Sequence, residues 1–236
     1  MAIDIVVPPG VSQRPVQYDS SLVDLETLSN EVSLLSLGDF VPLEFKIDIN
    51  QFMMEIGPFS GDWVEYLPRP NTFNNRKALT VTNLLGKTHR DSPSQAQATV
   101  ELGRPVSELE FSEPTAVYNA CNSLKPLLET FSPLGRTFLV NCGIGGHFVP
   151  HRDHPAIPRK TFRLAAFLNN CGPMQYDWLI DNDTKLPIEM GRVYYINTRR
   201  THRTISWAPD SIHLIINVPM TSENVAKVMY HLQHRH

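Results

Sequence analysis

The C-terminal half of the chain predicts a mainly β protein with flanking helices, built on a jelly roll. Two observations carry this. Stretches of strand length recur at 136–142, 147–152, 161–169, 176–181, 184–189, 192–197, 202–207 and 211–218. Turn residues bound each of them, among them Gly143 to Gly146, His154 to Pro158, Asn169 to Pro173, Asp181 to Asp183, Gly191 and Pro209-Asp210. Eight short strands with regular punctuation suit a sandwich or barrel, and the jelly roll is the eight-stranded choice. Composition agrees. Of 236 residues 42% are hydrophobic, enough for one well-filled domain and too many for a disordered chain.

The remaining elements follow in order. Residues 1–19 hold Pro8, Pro9, Gly10 and Pro15 and read as an irregular arm. Over 21–37, Leu22, Leu25, Leu28, Val32 and Leu35 recur near helical spacing. Leu43, Phe45, Ile47 and Ile49 alternate as a strand. Asp48, three before Gln51, resembles a capping box and opens a short helix through Phe52, Met53 and Ile56. Residues 57–77, rich in Pro, Gly and Asn, read as loop, and Leu79 to Thr82 as a strand. A polar loop is expected over 86–98 and a helix over 114–130. Ser222 is the expected cap of a last helix over 223–233, with Val225, Val228, Met229 and Leu232 on one face.

Several classes of function fall away. A net charge of −3 leaves no footprint for nucleic acid or an anionic membrane. The longest apolar runs are of strand length, so none spans a bilayer. The first residues, MAIDIVVPPG, lack the basic start and the apolar length of a signal peptide. Cys121, Cys142 and Cys171 show no CxxC spacing, and a reducing, cytoplasmic location is expected.

The chemistry sits in the stretch from Asn141 to Asp153, NCGIGGHFVPHRD. A glycine turn leads into a strand ending in His151-Arg152-Asp153, and side chains two apart on a strand share a face. The same tripeptide occurs as His89-Arg90-Asp91, among Ser and Pro with no strand pattern, and there reads as a solvated loop. Neither copy continues as the kinase catalytic loop HRDLxxxN. His202, opening the seventh strand, is the third candidate ligand, since the second and seventh strands of an antiparallel jelly roll lie side by side. His231, His234 and His236 crowd the C-terminus and read as a solvated tail. Two imidazoles and one carboxylate on one octahedral face leave three positions open. That is the arrangement of non-haem Fe(II) oxygenases, whereas structural zinc closes its shell with four ligands.

The order of glycine turn, His-x-Asp, a strand carrying Arg163, GRVYYIN over 191–197, His202 and then SIHLIINV over 211–218 resembles the iron(II)- and 2-oxoglutarate-dependent dioxygenases. Within them it is most similar to the aspartyl/asparaginyl β-hydroxylase-like branch. The resemblance covers residues 136–220. It implies a double-stranded β-helix of cupin type, with His151, Asp153 and His202 as the catalytic Fe(II) centre. It also implies 2-oxoglutarate and O2 as co-substrates and hydroxylation of an unactivated C–H bond. The substrate would be amino-acid-like or peptidyl, with succinate and CO2 released. On this reading 1–40 is an arm and helix packing on the core, 41–135 a helical and loop region shaping the substrate entrance, 136–220 the catalytic core and 221–236 the C-terminal helix, all in one structural domain.

The family places an Arg or Lys on the eighth strand to hold the far carboxylate of 2-oxoglutarate, and this chain has His213 there. Either His213 is a pH-sensitive anchor, or Arg163 takes the charge, or the co-substrate differs. Asn141 either contacts the co-substrate or caps the Gly143 turn. Arg199, Arg200 and Arg203 either attract an acidic substrate or form a solvated face, and Trp178 and Trp207 are expected to pack. Two rivals stand beside the dioxygenase: a cupin-like metal enzyme that does not use 2-oxoglutarate, and a non-catalytic jelly-roll binding module.

Overall fold

The computed structural model describes residues 24–67, 75–153, 160–181 and 184–232. The arm expected over 1–19, the turn at 154–158 and the end of the last predicted helix lie outside these residues.

Helix α1 (Leu25–Leu35) begins at Asp24, whose carboxylate accepts the Glu26 amide at 3.0 Å and satisfies a donor that the helix itself cannot. Its buried residues are Asn30, Glu31 and Leu34, whereas Leu25 and Val32 of the expected apolar face are exposed. Polar contacts set this orientation: Glu31 pairs with Arg199, and Ser222 Oγ donates to Asn30 Oδ1 at 3.2 Å. Strand β1 (Phe40–Lys46) leads to α2 (Ile49–Ile56), where Asp48 accepts the Gln51 amide at 3.0 Å. The Gln51 side chain turns to Glu55 at 2.8 Å, so the expected capping box is half formed.

In place of a continuous loop over 57–77, the described residues there include a 3-10 turn (Gly57–Phe59) and strand β2 (Val64–Glu65), which pairs with β3 (Arg76–Asn83). The polar loop expected over 86–98 contains the start of helix α3 (Gln95–Leu102), set by a Ser94–Gln97 capping box. Only Ala98 of this helix is buried, so no apolar stripe announces it. After β4 (Glu113–Pro114), the single helix expected over 114–130 is split into α4 (Ala116–Ala120) and α5 (Lys125–Thr130). Pro126 has no amide hydrogen to continue a helix from before it, and it sits in the first turn of α5, where none is needed.

Then come β5 (Thr137–Cys142), β6 (His147–His151), β7 (Thr161–Asn169), β8 (Tyr176–Ile180), β9 (Thr184–Lys185), β10 (Arg192–Ile196), β11 (His202–Ser206) and β12 (Ser211–Pro219). Their positions follow the eight expected stretches, β9 being much shorter than 184–189. The chain closes on α6 (Ser222–Tyr230), capped by Thr221, one residue before the expected Ser222; its hydroxyl accepts the Asn224 amide at 3.2 Å.

Strands β10-β7-β12-β5 form one sheet, extended by β1 at one edge and by β3 and β2 at the other. Strands β6-β11-β8-β9 form the second. All neighbours are antiparallel. From β5 to β12 the chain crosses between the sheets at every step except the β8-β9 hairpin, which is the double-stranded β-helix pattern, so the jelly roll follows from strand order alone. Period-two alternation divides β12: Leu214, Ile216 and Val218 pack under the helices, while His213 and Ile215 face the space between the sheets. Phe138, Val140, Phe167, Trp178 and Tyr194 share that inner layer. No helix among the described residues is long and apolar enough to cross a membrane.

Candidate metal centre and its cavity

His151 ends β6, His202 begins β11, and the register sets them directly opposite each other. Their ring centroids lie 4.3 Å apart. Asp153 is held by its amide, which donates to Thr198 O at 3.1 Å. Its Oδ1 is 3.4 Å from His151 Nε2 and its Oδ2 3.9 Å from His202 Nε2. One ligand atom from each residue lies within 4.8 Å of the other two.

The surrounding hydrogen bonds suit this trio to a metal ion. His151 Nδ1 lies 2.7 Å from Val149 O, and His202 Nδ1 lies 3.1 Å from Arg200 O. A carbonyl only accepts, so in the neutral rings each Nδ1 carries the proton and each Nε2 keeps its lone pair free. Asp153 Oδ2 accepts from Arg163 Nη1, and Arg163 Nε donates to Asn217 Oδ1 at 3.4 Å. The Trp178 ring stacks on His202 at 5.4 Å, inclined by 13°. These outer contacts fix orientation and tautomer as second partners of metal ligands do.

Electrostatics favours the ligating forms of Asp153 and His202 and, in the metal-free protein, the protonated form of His151. Burial alone would raise the Asp153 carboxyl, but Arg163 and the two imidazoles hold it well below the usual carboxylate range. Burial pulls His202 down to about 4. Burial also opposes the His151 cation, yet its hydrogen bonds with Asp153 and Val149 leave its pKa above the ordinary value.

Beside the trio a cavity of about 300 Å³ runs between the sheets, with Tyr66, Arg76, Arg136, Phe148, Trp178 and His213 among its walls. His213 is on the inner face, as β12 parity requires, but it is 2% exposed and burial pulls its pKa down to about 3. It therefore offers a hydrogen bond and no positive charge. Arg163 borders the cavity too, with its guanidinium engaged by Asp153. Asn141 points elsewhere: its amide donates to Asp210 Oδ1 at 3.1 Å, and it does not line the cavity. A second cavity, of about 470 Å³, shares Asp153 and Arg163 with the first and is bordered by Ser107, Glu108, Lys160 and Asn217.

Sequence reading overlooked Tyr66, Arg76 and Arg136. The signal for the two arginines was parity: Arg136 shares a face with Phe138 and Val140, and Arg76 with Ala78. Arg136 Nε lies 2.9 Å from Glu108 Oε2, and its Nη1 donates to Tyr66 Oη at 3.3 Å.

No protein-family model and no curated protein sequence matches the chain. Among solved structures it is similar to a prolyl-4-hydroxylase from Pseudomonas putida, at 10% identity over 80% of this chain and 98% of that one, with a TM-score of 0.42. It is similar to a 2OG-Fe(II) oxygenase family oxidoreductase from Burkholderia pseudomallei at 12% identity, covering 82% and 90%, with a TM-score of 0.41. An RmlC-like cupin protein from Desulfovibrio desulfuricans is similar at 15% identity over 36% and 71%, with a TM-score of 0.29.

The other singled-out residues have structural partners. Arg199 pairs with Glu31, and Arg200 with Asp39 and Asp181, so both brace the loop before His202. Trp207 is 55% exposed and donates to Asp177 Oδ2 at 2.8 Å, unlike the packed Trp178. Cys142 is buried, and burial pushes its thiol up to about 12, far from a nucleophile's range.

Proposed function

We propose that the protein is an Fe(II)-dependent oxygenase that uses 2-oxoglutarate and O2 to hydroxylate an unactivated C–H bond of an amino-acid-like or peptidyl substrate. One observation carries the reading: two Nε2 lone pairs and one carboxylate converge while an open cavity borders the same three residues. A ligand set of this kind suits non-haem Fe(II) and leaves coordination positions for co-substrates. Bound iron would supply the activation of O2 coupled to decarboxylation of the 2-oxo acid.

The chain's own residues supply position and shielding. His151 and His202 present Nε2 because Val149 O and Arg200 O hold their Nδ1 protons. Arg163 keeps Asp153 ionised and aimed, and Trp178 covers one face of His202. The first cavity lies between the sheets and suits a small 2-oxo acid. The second meets it at Asp153 and carries both acid and base groups, which suits a polar, amino-acid-like substrate.

The test is anaerobic titration of the Fe(II)-loaded protein with 2-oxoglutarate, followed in the visible. A weak charge-transfer band that saturates with 2-oxoglutarate is expected. Folded, Fe(II)-loaded protein that gives no band contradicts the co-substrate claim. One observation favours the cupin-like rival that does without 2-oxoglutarate: β12 turns a neutral His213 into the cavity. Succinate release matching 2-oxoglutarate consumption separates the two.

A further inference from the structure

We propose that the second cavity takes a free α-amino acid, with its ammonium on Glu108 and its carboxylate on Lys160. The inference rests on the hydroxylase reading above. It narrows the substrate from amino-acid-like or peptidyl to the zwitterion itself.

The ion pairs of that cavity lead there. Five charged side chains border it: Glu108, Glu110, Asp153, Lys160 and Arg163. Three are committed within the protein. Asp153 and Arg163 hold each other at the metal side. Glu110 accepts the Ser107 amide on Oε1 at 2.7 Å and pairs through Oε2 with Arg104 at 2.7 Å. Glu108 is only half committed. Its Oε2 accepts from Arg136 Nε at 2.9 Å and from Asn217 Nδ2 at 3.4 Å. Its Oε1 has no partner among the described residues and is not sealed in the core. Lys160 Nζ has none among them either, and its side chain is exposed, which puts it at the rim of the cavity.

One acceptor and one donor, each charged, thus remain for a ligand. The Glu108 side chain is 12% exposed, and an ionised oxygen so enclosed gains from a charged donor more than a surface one does. An ammonium brings three N–H groups to it. An α-amino acid carries both complementary charges on one carbon and no net charge. A residue inside a peptide carries neither and would leave Glu108 and Lys160 unmatched.

The carboxylate is set before any ligand arrives. Glu108 opens a 3-10 turn (Glu108–Glu110) closed by a Ser107–Glu110 capping box, and its carbonyl accepts the Arg136 amide at 2.9 Å. Gly135 lets this turn lie against β12: a Cβ there would be 2.9 Å from Glu108 O and 3.1 Å from Asn217 O. A group held this way loses little freedom on binding. Asn217, 2% exposed, ties it to the metal side, since Nδ2 donates to Glu108 while Oδ1 accepts from Arg163 Nε at 3.4 Å. Val106 and Phe162 add apolar wall. An amino acid pinned by its two charges keeps its side chain free to turn toward Asp153.

The test is calorimetric titration of the Mn(II)-loaded protein with the twenty common L-amino acids, with and without 2-oxoglutarate, so turnover plays no part. The tightest binder is then compared with its N-acetyl derivative and with its carboxamide. Wild type should prefer the free amino acid to both. Glu108→Gln should weaken the free amino acid by about 10–100-fold, as expected for hydrogen bonds to a charged group, and leave the N-acetyl derivative unchanged. Lys160→Met should cost about 2–5-fold, as for an exposed ion pair, and should lower only the preference over the carboxamide. If Glu108→Gln misfolds for want of its pair with Arg136, the Lys160→Met result still decides. An undiminished preference in either folded variant overturns the inference. So does wild type that binds none of the twenty, or that prefers the N-acetylated carboxamide, the form a peptide presents. Wild type that binds an amino acid as described but never binds 2-oxoglutarate overturns the hydroxylase reading and leaves the amino-acid site standing.

Discussion

The chain spells His-Arg-Asp twice, and the two copies do opposite things. In His151-Arg152-Asp153 the imidazole and carboxylate converge with His202 beside an open cavity. In His89-Arg90-Asp91 they part. His89 Nε2 lies 2.8 Å from Asp62 Oδ2, with Phe59 edge-on at 5.2 Å. Asp91 closes its own turn, accepting from the Thr88 amide and hydroxyl at 2.8 Å each. Its carbonyl accepts from Thr80 Oγ1 and Asn83 Nδ2, which straps the turn along β3. The loop expected there exists, but it is pinned and partly buried, not solvated. The difference is backbone. Strand β6 ends at His151, and the bend just past it, fixed by the Asp153 amide on Thr198 O, keeps Asp153 beside His151, whereas the turn at Thr88 to Asp91 sends the pair apart. A metal motif is therefore a statement about local conformation as much as about residue types.

The largest test of the contrast removes a ligand from each copy. His202→Ala should reduce Fe(II) or Mn(II) affinity by more than the roughly 10–100-fold typical of an outer-shell change, whereas His89→Ala should leave it unaltered; calorimetric metal titration reads both. Next in size is Arg163→Gln, which removes the guanidinium from Asp153 Oδ2 and should weaken metal binding by about 10–100-fold. An unchanged affinity would mean that Asp153 needs no such partner.

The metal-free protein adds a pH dependence. His213 titrates at about 3 and His202 at about 4 in the folded state, against about 6.5 when unfolded. Both pKa values are lowered, so the unfolded chain binds more protons between these limits. Stability is then fully present above the unfolded value and is lost as pH falls from there toward 3. Urea unfolding across this range should show that slope, and His213→Phe should make it shallower; an identical slope would place His213 in contact with water. The smallest effect belongs to the first copy. His89→Ala should cost about 1–2 kcal/mol of stability for its partly buried bond to Asp62, seen as a shifted urea midpoint.

Much of this contrast was legible in the sequence because the eight strands are short and separately punctuated and because His151 and Asp153 stand two apart at the end of one of them. Asp153 nonetheless reaches its place through a bend past β6 and not through strand parity. The register that sets His202 against His151 followed from the jelly-roll order. What escaped has physical causes. Helix α3 buries a single alanine and announces itself only through its Ser94–Gln97 cap. Helix α1 is oriented by Glu31 and Asn30, residues that hydrophobic periodicity counts as solvent-facing. Arg76 enters the cavity from a strand whose first residues look like the end of an Asn-rich loop. His213 was read as a possible cation because its burial comes from residues far away in the chain, among them Phe148, Phe167, Tyr176 and Trp178.

One measurement tests the central claim most directly: anaerobic equilibrium dialysis against Fe(II) of three proteins, wild type, His89→Ala/Asp91→Ala and His151→Ala/Asp153→Ala, each checked for folding. Wild type and the first double variant should retain one equivalent of iron, and the second double variant none. Equal retention in all three, or loss confined to the His89 and Asp91 variant, would contradict the assignment of His151, Asp153 and His202 as the metal centre.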